Sequence, residues 1–360
     1  MEDLKNWFDE TFYRELSEHL HQQHSKFDRE SFVSAALNGL DELSLKQRMR
    51  RATELTAQHL PSDYASALEI LYPIAPLYDG TFKGMYFPDF VGLYGRDDIE
   101  RSLEALNYFT RYSSSEFAIR EFFLIDFQRT LDAMTEWAGD DNHHVRRLAS
   151  EGSRPRLPWS FQLRPFMDDP APLRPILETL KADPELYVRK SVANHLNDIT
   201  KDNPETMLDW VNAWDREVPE TAWIVKHASR SLLKQGHPRA FALFGFEATP
   251  DISVSALELN ATALTLGDRL EFTFSLTSNK NTPQKLAVDY IVHYVKKNGK
   301  TAPKVFKLKE VLVPPEAHQK ISKSQTFENF STRTHYSGEH RIEVVVNGIP
   351  MASTTFELKA

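Results

Sequence analysis

The sequence predicts a mainly α-helical domain followed by an all-β sandwich, and two changes of pattern predict it. Up to residue 246, apolar residues recur at the three- and four-residue spacing of amphipathic helices. Beyond that point they alternate with polar residues, as in strands with one buried face. At roughly 150 residues per domain, a chain of 360 residues has room for both. We expect the domains to span residues 1–246 and 247–360.

The helical part divides into segments separated by Pro, Gly, Asp and Asn. Ser113 or Ser114 is a candidate N-cap, with Glu116 in the first turn that follows. The stretch 76–97 is aromatic and Gly-rich, so we expect an ordered loop packed on the helices. The predicted helices span residues 3–22, 28–38, 41–59, 63–75, 97–111, 115–137, 142–151, 171–182, 185–200, 204–214 and 220–235.

A weak internal repeat occurs in this part. Val145-Arg146-Arg147, Val188-Arg189-Lys190 and Val225-Lys226-His227 each open the second helix of a predicted pair, at spacings of 43 and 37 residues. Helix pairs repeating every roughly 35–47 residues are typical of HEAT-like solenoids. Coincidence among ordinary helices is the alternative. If the repeat is real, the basic residues line one concave face as a stripe that suits a duplex.

The C-terminal part is predicted to form a sandwich of about seven strands, similar in size to an Ig-like domain. Apolar alternation marks the strands around Leu270–Leu276, Val288–Tyr294, Val305–Leu308, Val311–Val313 and Ile342–Val346. Turn signals separate them at Asn298-Gly299, Pro314-Pro315, Ser337-Gly338 and Asn347-Gly348.

Composition limits the classes of function. The net charge of −8 argues against a generally basic nucleic-acid binder but does not forbid a local phosphate site. The chain has no cysteine, which excludes disulfides and thiolate chemistry and fits a reducing cytoplasm. The sequence contains no run of 18 apolar residues, so we expect no membrane span. Without His-x3-His, a Walker loop or G-x-G-x-x-G, we expect neither a metal nor a cofactor.

The stretch from Val145 to Trp159 is the most distinctive. A helix ends at Gly152, and Pro155 and Pro158 stiffen the turn that follows. Arg154 and Arg156 lie in that turn, where a guanidinium held still suits a phosphate oxygen. A solvated helix end with a Pro-rich connector is the alternative.

Carboxylates near aromatic and basic residues suggest a second role. A carboxylate in such surroundings can hold a developing cation beside a polyanion. Candidates for this role are Glu116, Phe117, Glu151, Trp159 and Asp198. Each also has an ordinary explanation. Glu116 can serve a helix dipole, Glu151 can pair with Arg147, Asp198 can be a solvated helix end, and Trp159 can belong to the core.

Three motifs resemble those of the AlkC-type DNA alkylation repair glycosylases, HEAT-like relatives of the AlkD glycosylases. The resemblance covers about residues 1–245, and the sandwich resembles the Ig-like domain of one AlkC subgroup. The matching motifs are Ser114–Arg120, Val145–Trp159 and Val188–Asp198.

This resemblance implies a monofunctional glycosylase that excises N3-methylated bases, such as 3-methyladenine and 3-methylcytosine, from duplex DNA. These bases are cationic, so the enzyme needs only to stabilise an oxocarbenium-like sugar and position a water. Glu116 and Asp198 would lie beside the lesion, with Phe117 and Trp159 as aromatic walls. Arg147 and Arg154 would hold phosphates, and Glu151 would fix an arginine or face the lesion.

The resemblance further implies that the base stays stacked and is attacked from the sugar side. Arg156, Arg189 and Lys190 are further candidate DNA contacts, and we expect a monomer. A lysine-rich run on the sandwich either clamps DNA or protects a sheet edge. It comprises Lys296, Lys297, Lys300, Lys304, Lys307 and Lys309.

Two other functions stay open. A non-catalytic HEAT-repeat module would bind bent or alkylated DNA without releasing a base. A protein-interaction scaffold would use the concave face for a peptide and would not depend on Arg147 or Arg154 for DNA binding.

Overall fold

The computed structural model describes residues 4–330 and 333–360, and it confirms the predicted order of a helical part followed by a strand-rich part. The chain divides into two compact units. One comprises the residues up to Met207 together with Ala213–Ala228, and the other comprises Leu208–Asn212 and Ser229–Ala360. Among the helices in the described ranges, none has the length and apolar character needed to span a membrane.

Short polar side chains begin many of the helices. Asp9, Asp28, Asp63 and Asp98 each accept a hydrogen bond from a backbone N–H in the first turn of the helix that follows. Residue 3, where the first predicted helix starts, lies outside the described residues. The helices in the described part are α1 (Glu10–Gln23), α2 (Arg29–Leu37), α3 (Leu45–His59), α4 (Tyr64–Leu71), α5 (Tyr86–Tyr94), α6 (Ile99–Thr110), α7 (Ile119–Ile125), α8 (Phe127–Trp137), α9 (His143–Gly152), α10 (Arg164–Asp168), α11 (Arg174–Leu180), α12 (Leu186–Ile199), α13 (Pro204–Asn212), α14 (Pro219–Ala228), α15 (Arg230–Lys234) and α16 (Pro238–Ala242).

Several predictions about the helices are wrong. The predicted helix 220–235 is two helices, α14 and α15, with a turn at Ser229. In the described part of the predicted helix 3–22, a 3-10 helix, Leu4–Phe8, precedes α1. The stretch 76–97 is not only a loop, because α5 lies within it and packs against α3 and α6. Pro88 sits in the first turn of α5, where its missing N–H costs no helical bond. The predicted helix 115–137 is two helices, because Asp126 ends α7 in an extended conformation and caps α8. Glu116 therefore lies in the turn before α7.

The predicted repeat is present in the helix packing. α12 packs against α9 on one side and α14 on the other. Val145, Val188 and Val225, the residues that mark the repeat, are all fully buried. Val145 and Val188 lie in the first turns of α9 and α12 as predicted, whereas Val225 is the seventh residue of α14, so its predicted place at the start of a helix is wrong. In two of the three repeats, the first basic residue is an arginine that makes the same kind of contact. Arg146 donates to the carbonyls of Asp140 and Asp141, and Arg189 donates to those of Asp183 and Pro184, each holding the turn before its own helix.

The second unit contains a sandwich of two sheets, with more strands than predicted. One sheet has the order β1-β4-β2 with β7 also paired to β4, and the other has the order β3-β9-β8-β5-β6. Alternate residues of the long strands face the core, among them Phe272 and Val288. The strands are β1 (Ile252–Val254), β2 (Glu258–Leu259), β3 (Ala263–Thr265), β4 (Arg269–Ser278), β5 (Gln284–Val295), β6 (Thr301–Val313), β7 (His318–Thr326), β8 (Gly338–Val346) and β9 (Ile349–Lys359).

The two apolar runs at 305–308 and 311–313 belong to one strand, β6. Val288 pairs with Lys309 while Asp289 pairs with Lys307, so Leu308 is an extra residue on β6. Such a bulge shifts the alternation by one residue, which is why the sequence looked like two strands.

Two short helices group with the sandwich and not with the helical unit. α15 and α16 belong to the second unit, although the predicted boundary at 246/247 follows them. The turn between them holds Gly236, whose φ is +76° and whose added Cβ would lie 2.8 Å from the carbonyl oxygen of Gly348. Gly348 closes the β8–β9 hairpin, so two glycine turns meet here.

We expect Gly236→Ala to destabilise the protein by more than backbone strain alone. Gly245 provides a matched control because its φ is +73° and an added Cβ meets nothing within 4 Å. Gly245→Ala should lower the free energy of unfolding by about 1 kcal/mol, and Gly236→Ala by about 2–4 kcal/mol. Urea denaturation followed by circular dichroism measures both. Equal losses would show that the glycine–glycine contact does not constrain the fold.

Candidate active site

The turn after α9 is held in place by a buried arginine. Arg120, on α7, is fully buried. Its Nη1 donates to the carbonyls of Gly152 at 2.9 Å and Arg154 at 2.7 Å, and its Nη2 donates to the carbonyl of Phe161. Burial, and then the charge of Arg154, lowers the pKa of Arg120 to about 10, so it stays charged at neutral pH.

Gly152 is needed where α9 meets α7. A Cβ on this residue would lie 2.6 Å from Cγ2 of Ile119 and 2.9 Å from Cε of Met134. The absence of a side chain therefore lets the end of α9 approach α7 closely enough for Arg120 to reach the following turn.

The predicted carboxylates and two predicted arginines form one continuous network. Nη1 of Arg147 lies 2.5 Å from Oε2 of Glu116, and its Nη2 lies 3.7 Å from Oε1 of Glu151. Nη1 of Arg154 donates to the same Glu151 oxygen at 2.7 Å, while its Nε and Nη2 both lie 2.9 Å from Oδ2 of Asp198. The sequence named all five residues and offered the pair of Arg147 with Glu151, but it did not indicate the other pairings.

The network becomes more buried from one end to the other. The exposed fraction of the side chain falls from 16% at Glu116 to 3% at Asp198. Burial by itself would raise the pKa of Glu151, but the charges of Arg147 and Arg154 outweigh it and lower that pKa. Glu151 is therefore ionised at neutral pH.

Three carboxylates in this network share two guanidinium groups. A third cation, the ammonium of Lys201, lies 2.9 Å from Oδ1 of Asp198, but 47% of its side chain is exposed. The buried guanidinium of Arg120 also interacts with all three carboxylates, so the buried charges of the site balance. Ionised carboxylates held in fixed positions in a poorly solvated place still attract a cation at close range.

Two aromatic side chains lie on the segments that carry this network. Phe117 directly follows Glu116, and Trp159 lies within the turn that Arg120 holds. Trp159 is 65% exposed and has a φ of 65°, which is unusual for a residue with a side chain. Trp159 is therefore not a core residue, which excludes the alternative that it belongs to the core.

Phe117 and Trp159 line one side of an open cleft of about 600 Å³. Four cations and three carboxylates also line it, and several are paired with each other, such as Arg50 with Asp89 and Arg96 with Glu121. The charged lining comprises Lys46, Arg50, Arg51, Arg96, Glu54, Asp89 and Glu121.

The candidate DNA-binding residues divide into two groups. Lys190 is exposed, whereas Arg189 holds backbone carbonyls and lies over the ring of Trp223. Arg156 forms a two-bond pair with Asp202, at 2.9 and 2.6 Å, outside the network. Arg154 differs from the prediction of a phosphate ligand, because its buried guanidinium already binds two carboxylates.

Several residues of the site were missed by sequence reasoning. Arg120 lies inside a recognised motif, yet nothing in the sequence shows that its side chain is buried. Tyr187 lies beneath the guanidinium of Arg147, with its ring centroid 4.9 Å away. Ser191 and His195 share the face of α12 that carries Asp198, at positions i, i+4 and i+7, so helical periodicity gives a signal for them.

Two family models match parts of the chain. A family model described as a DNA alkylation repair enzyme matches residues 98–232, which contain the whole network. A second model, described as the C-terminal Ig-like domain of the uncharacterised protein YhaZ, matches residues 253–360.

Two full-length relatives are similar to the chain. It is 40% identical to the uncharacterized protein YhaZ of Bacillus subtilis (strain 168) over 359 residues, covering 99% of this chain and 100% of that protein. It is 47% identical to the alkylpurine DNA glycosylase AlkC of Pseudomonas fluorescens, whose structure was solved bound to DNA containing an abasic site analog. The TM-score is 0.94, and 100% of each chain is covered.

We expect acid to destabilise the network in two pH windows. Burial, and then the charge of Arg154, lowers the pKa of His195 to about 3. The unfolded chain takes up this proton near pH 6.5, so stability falls as the pH drops below about 6.5. The lowered pKa of Glu151 adds stability that is present above its ordinary value of 4.5 and lost at lower pH.

Two variants separate these windows. His195→Leu should flatten the loss of unfolding free energy from about pH 6.5 down to about 3, and Glu151→Gln should flatten it only below about 4.5, so the interval between about 6.5 and 4.5 reports His195 alone. Urea unfolding at a series of pH values measures both. A His195→Leu profile parallel to that of the parent protein would contradict the assignment.

Proposed function

The chain belongs to the AlkC-type family of DNA alkylation repair glycosylases, and from this we propose that it excises N3-methylated bases from duplex DNA. The substrates would be cationic lesions such as 3-methyladenine and 3-methylcytosine. The fixed row of carboxylates from Glu116 to Asp198 is the observation that carries the proposal, because its negative groups match the positive charge of both the lesion and the reacting sugar.

The chemistry asks little of the protein beyond this charge. A base methylated at a ring nitrogen is already a good leaving group, so no acid is needed to protonate it. As the glycosidic bond breaks, positive charge develops on the sugar, and a nearby carboxylate stabilises it. The same carboxylate can accept a proton from the attacking water. No metal or cofactor enters this mechanism.

Asp198 and Glu116 are proposed as the carboxylates beside the sugar. Asp198 is held rigidly by Arg154, so its charge keeps a fixed position. Glu116 lies at the more exposed end and is oriented by Arg147 and by the hydroxyl of Ser114. Glu151 joins the two arginines, and we assign it to orienting them.

Phe117 and Trp159 are proposed as the walls of the site, and the base is proposed to remain stacked. An exposed indole can approach a duplex from outside, and its face attracts a cation. The charged groups of the neighbouring cleft are largely paired already, so an extruded cationic base would gain little by entering it.

Duplex DNA is the proposed partner, bound by a monomer. Among the residues of the repeats, Lys190 and Arg147 are candidate DNA contacts. Arg156 and Arg189 would add contacts at the edges of the DNA-binding surface. The lysine-rich run from Lys296 to Lys309 either provides further phosphate contacts or protects the sheet edge. A protein-interaction scaffold lacks a comparable observation, whereas a DNA-binding module without activity remains the second candidate because its charges would be the same.

Base release from methylated duplex DNA, resolved by chromatography, tests the proposal. The parent protein should release 3-methyladenine or 3-methylcytosine, and Asp198→Asn should slow single-turnover release by about 10²-fold or more. Asp202→Asn is the matched control. It lies four residues further on, pairs with Arg156 and is outside the network, so its rate should stay within about twofold of the parent rate.

Binding measured beside the assay separates the two candidate functions. Salt-dependent binding without any released base would identify the non-catalytic module and remove the catalytic assignments. Excision by Asp198→Asn at the parent rate would instead move the catalytic role to another carboxylate.

The salt dependence of binding should distinguish phosphate contacts from network residues. Lys190→Ala should reduce the slope of log affinity against log salt concentration by about 0.9, the value for one lost phosphate contact. Arg154→Gln should leave that slope unchanged and lower the excision rate, because Arg154 binds Glu151 and Asp198. A reduced slope for Arg154→Gln would restore its predicted role as a phosphate ligand.

A further inference from the structure

One cation outside the three motifs touches both aromatic walls. Lys46 lies in the first turn of α3, far from the walls in sequence. Its Nζ donates a hydrogen bond to the backbone carbonyl of Trp159 and lies 4.7 Å from the centroid of the Phe117 ring. Burial, partly offset by the charge of Asp89, lowers the pKa of this ammonium, which agrees with its position against the walls.

Trp159 needs such support. A left-handed backbone costs roughly 1–2 kcal/mol in a residue with a side chain, and Trp159 adopts it with a φ of 65°. Its indole is mostly exposed, so packing contributes little to holding it. Arg120 fixes both flanks of the turn, at Arg154 and Phe161, and Lys46 binds the carbonyl of Trp159 itself.

We propose that Lys46 is a positioning residue that fixes Trp159 and Phe117 relative to each other, so that both rings face the sugar in one arrangement. The hydrogen bond sets the backbone of one wall, and the cation–π contact ties the same ammonium to the other. This inference rests on the proposed glycosylase function for its catalytic consequence. The coupling between Lys46 and Trp159 does not depend on that function.

Kinetics with short duplexes containing one methylated base test the catalytic consequence. Lys46→Met removes the charge and keeps a chain of similar length. It should lower the single-turnover rate at saturating enzyme by about tenfold, with affinity for an abasic-site duplex within about twofold of the parent protein. Lys46→Arg should recover most of the rate, because a guanidinium can make both contacts. Lys26→Met, at an exposed position, is the control.

A double variant shows whether Lys46 acts through Trp159. If it does, Lys46→Met added to Trp159→Ala should cause no further loss of rate. A direct phosphate contact would behave differently. The rate at saturation would stay at the parent value and the salt slope would fall by about 0.9, and that result would overturn the inference.

A readout without catalysis separates this inference from the proposed function. The chain has six tryptophans, so labelling with 5-fluorotryptophan gives a fluorine NMR spectrum in which Trp159→Phe identifies the Trp159 resonance. Lys46→Met should shift or broaden that resonance, and Lys26→Met should not. An unmoved resonance would contradict the inference. If the resonance moves but neither the parent protein nor any variant releases a base, the proposed function is contradicted, whereas the coupling between Lys46 and Trp159 is supported.

Discussion

The guanidinium of Arg120 joins α7 to the turn that follows α9, through the carbonyls of Gly152, Arg154 and Phe161. Everything at the candidate site depends on this contact. It decides where the backbone of Arg154 lies, and the side chain of Arg154 then joins Glu151 to Asp198 on α12. Because a buried arginine is stable only with good acceptors, the turn has to present its carbonyls to it.

The arginines of this chain therefore have distinct uses, although they look alike in the sequence. Arg120 holds a turn, and Arg146 and Arg189 hold the turns before their own helices. Arg147 and Arg154 organise carboxylates. An exposed side chain such as Lys190 projects freely enough to meet a polyanion without rearrangement. Division of this kind lets an acidic protein offer a local cation where a duplex would lie and keep a negative charge where a cationic lesion would lie.

Much of the architecture could be predicted, because helical periodicity and strand alternation are local patterns. The predictions were wrong where a single residue changed the pattern. Asp126 splits one helix into two, and Leu308 shifts the alternation within β6. α5 was missed because Gly and Pro suggested a loop, although the aromatic residues around them pack as a helix.

The limit of prediction from the sequence is clearer at the candidate site. The surroundings of Glu116, Glu151, Arg154 and Asp198 in the sequence, together with the family resemblance, identified these residues, and helical spacing indicated the pair of Arg147 with Glu151. The sequence could not show the other pairs, which join residues up to 44 positions apart. Nothing in the sequence indicated a role for Lys46. Its role arises from where α3 meets the turn at Trp159, and sequence patterns contain no information on such distances.

The chain of ion pairs from Glu116 to Asp198 also limits how this protein can change over evolutionary time. Each interior member has partners on both sides, so replacing one strands a buried charge on its neighbour. Losses of this kind do not add independently. We therefore expect substitutions in the network to be tolerated mainly as compensating sets, so that Glu116 before α7, the sites on and just after α9, and Asp198 on α12 change together. The lone surface pair of Arg156 and Asp202 is free to vary by single steps.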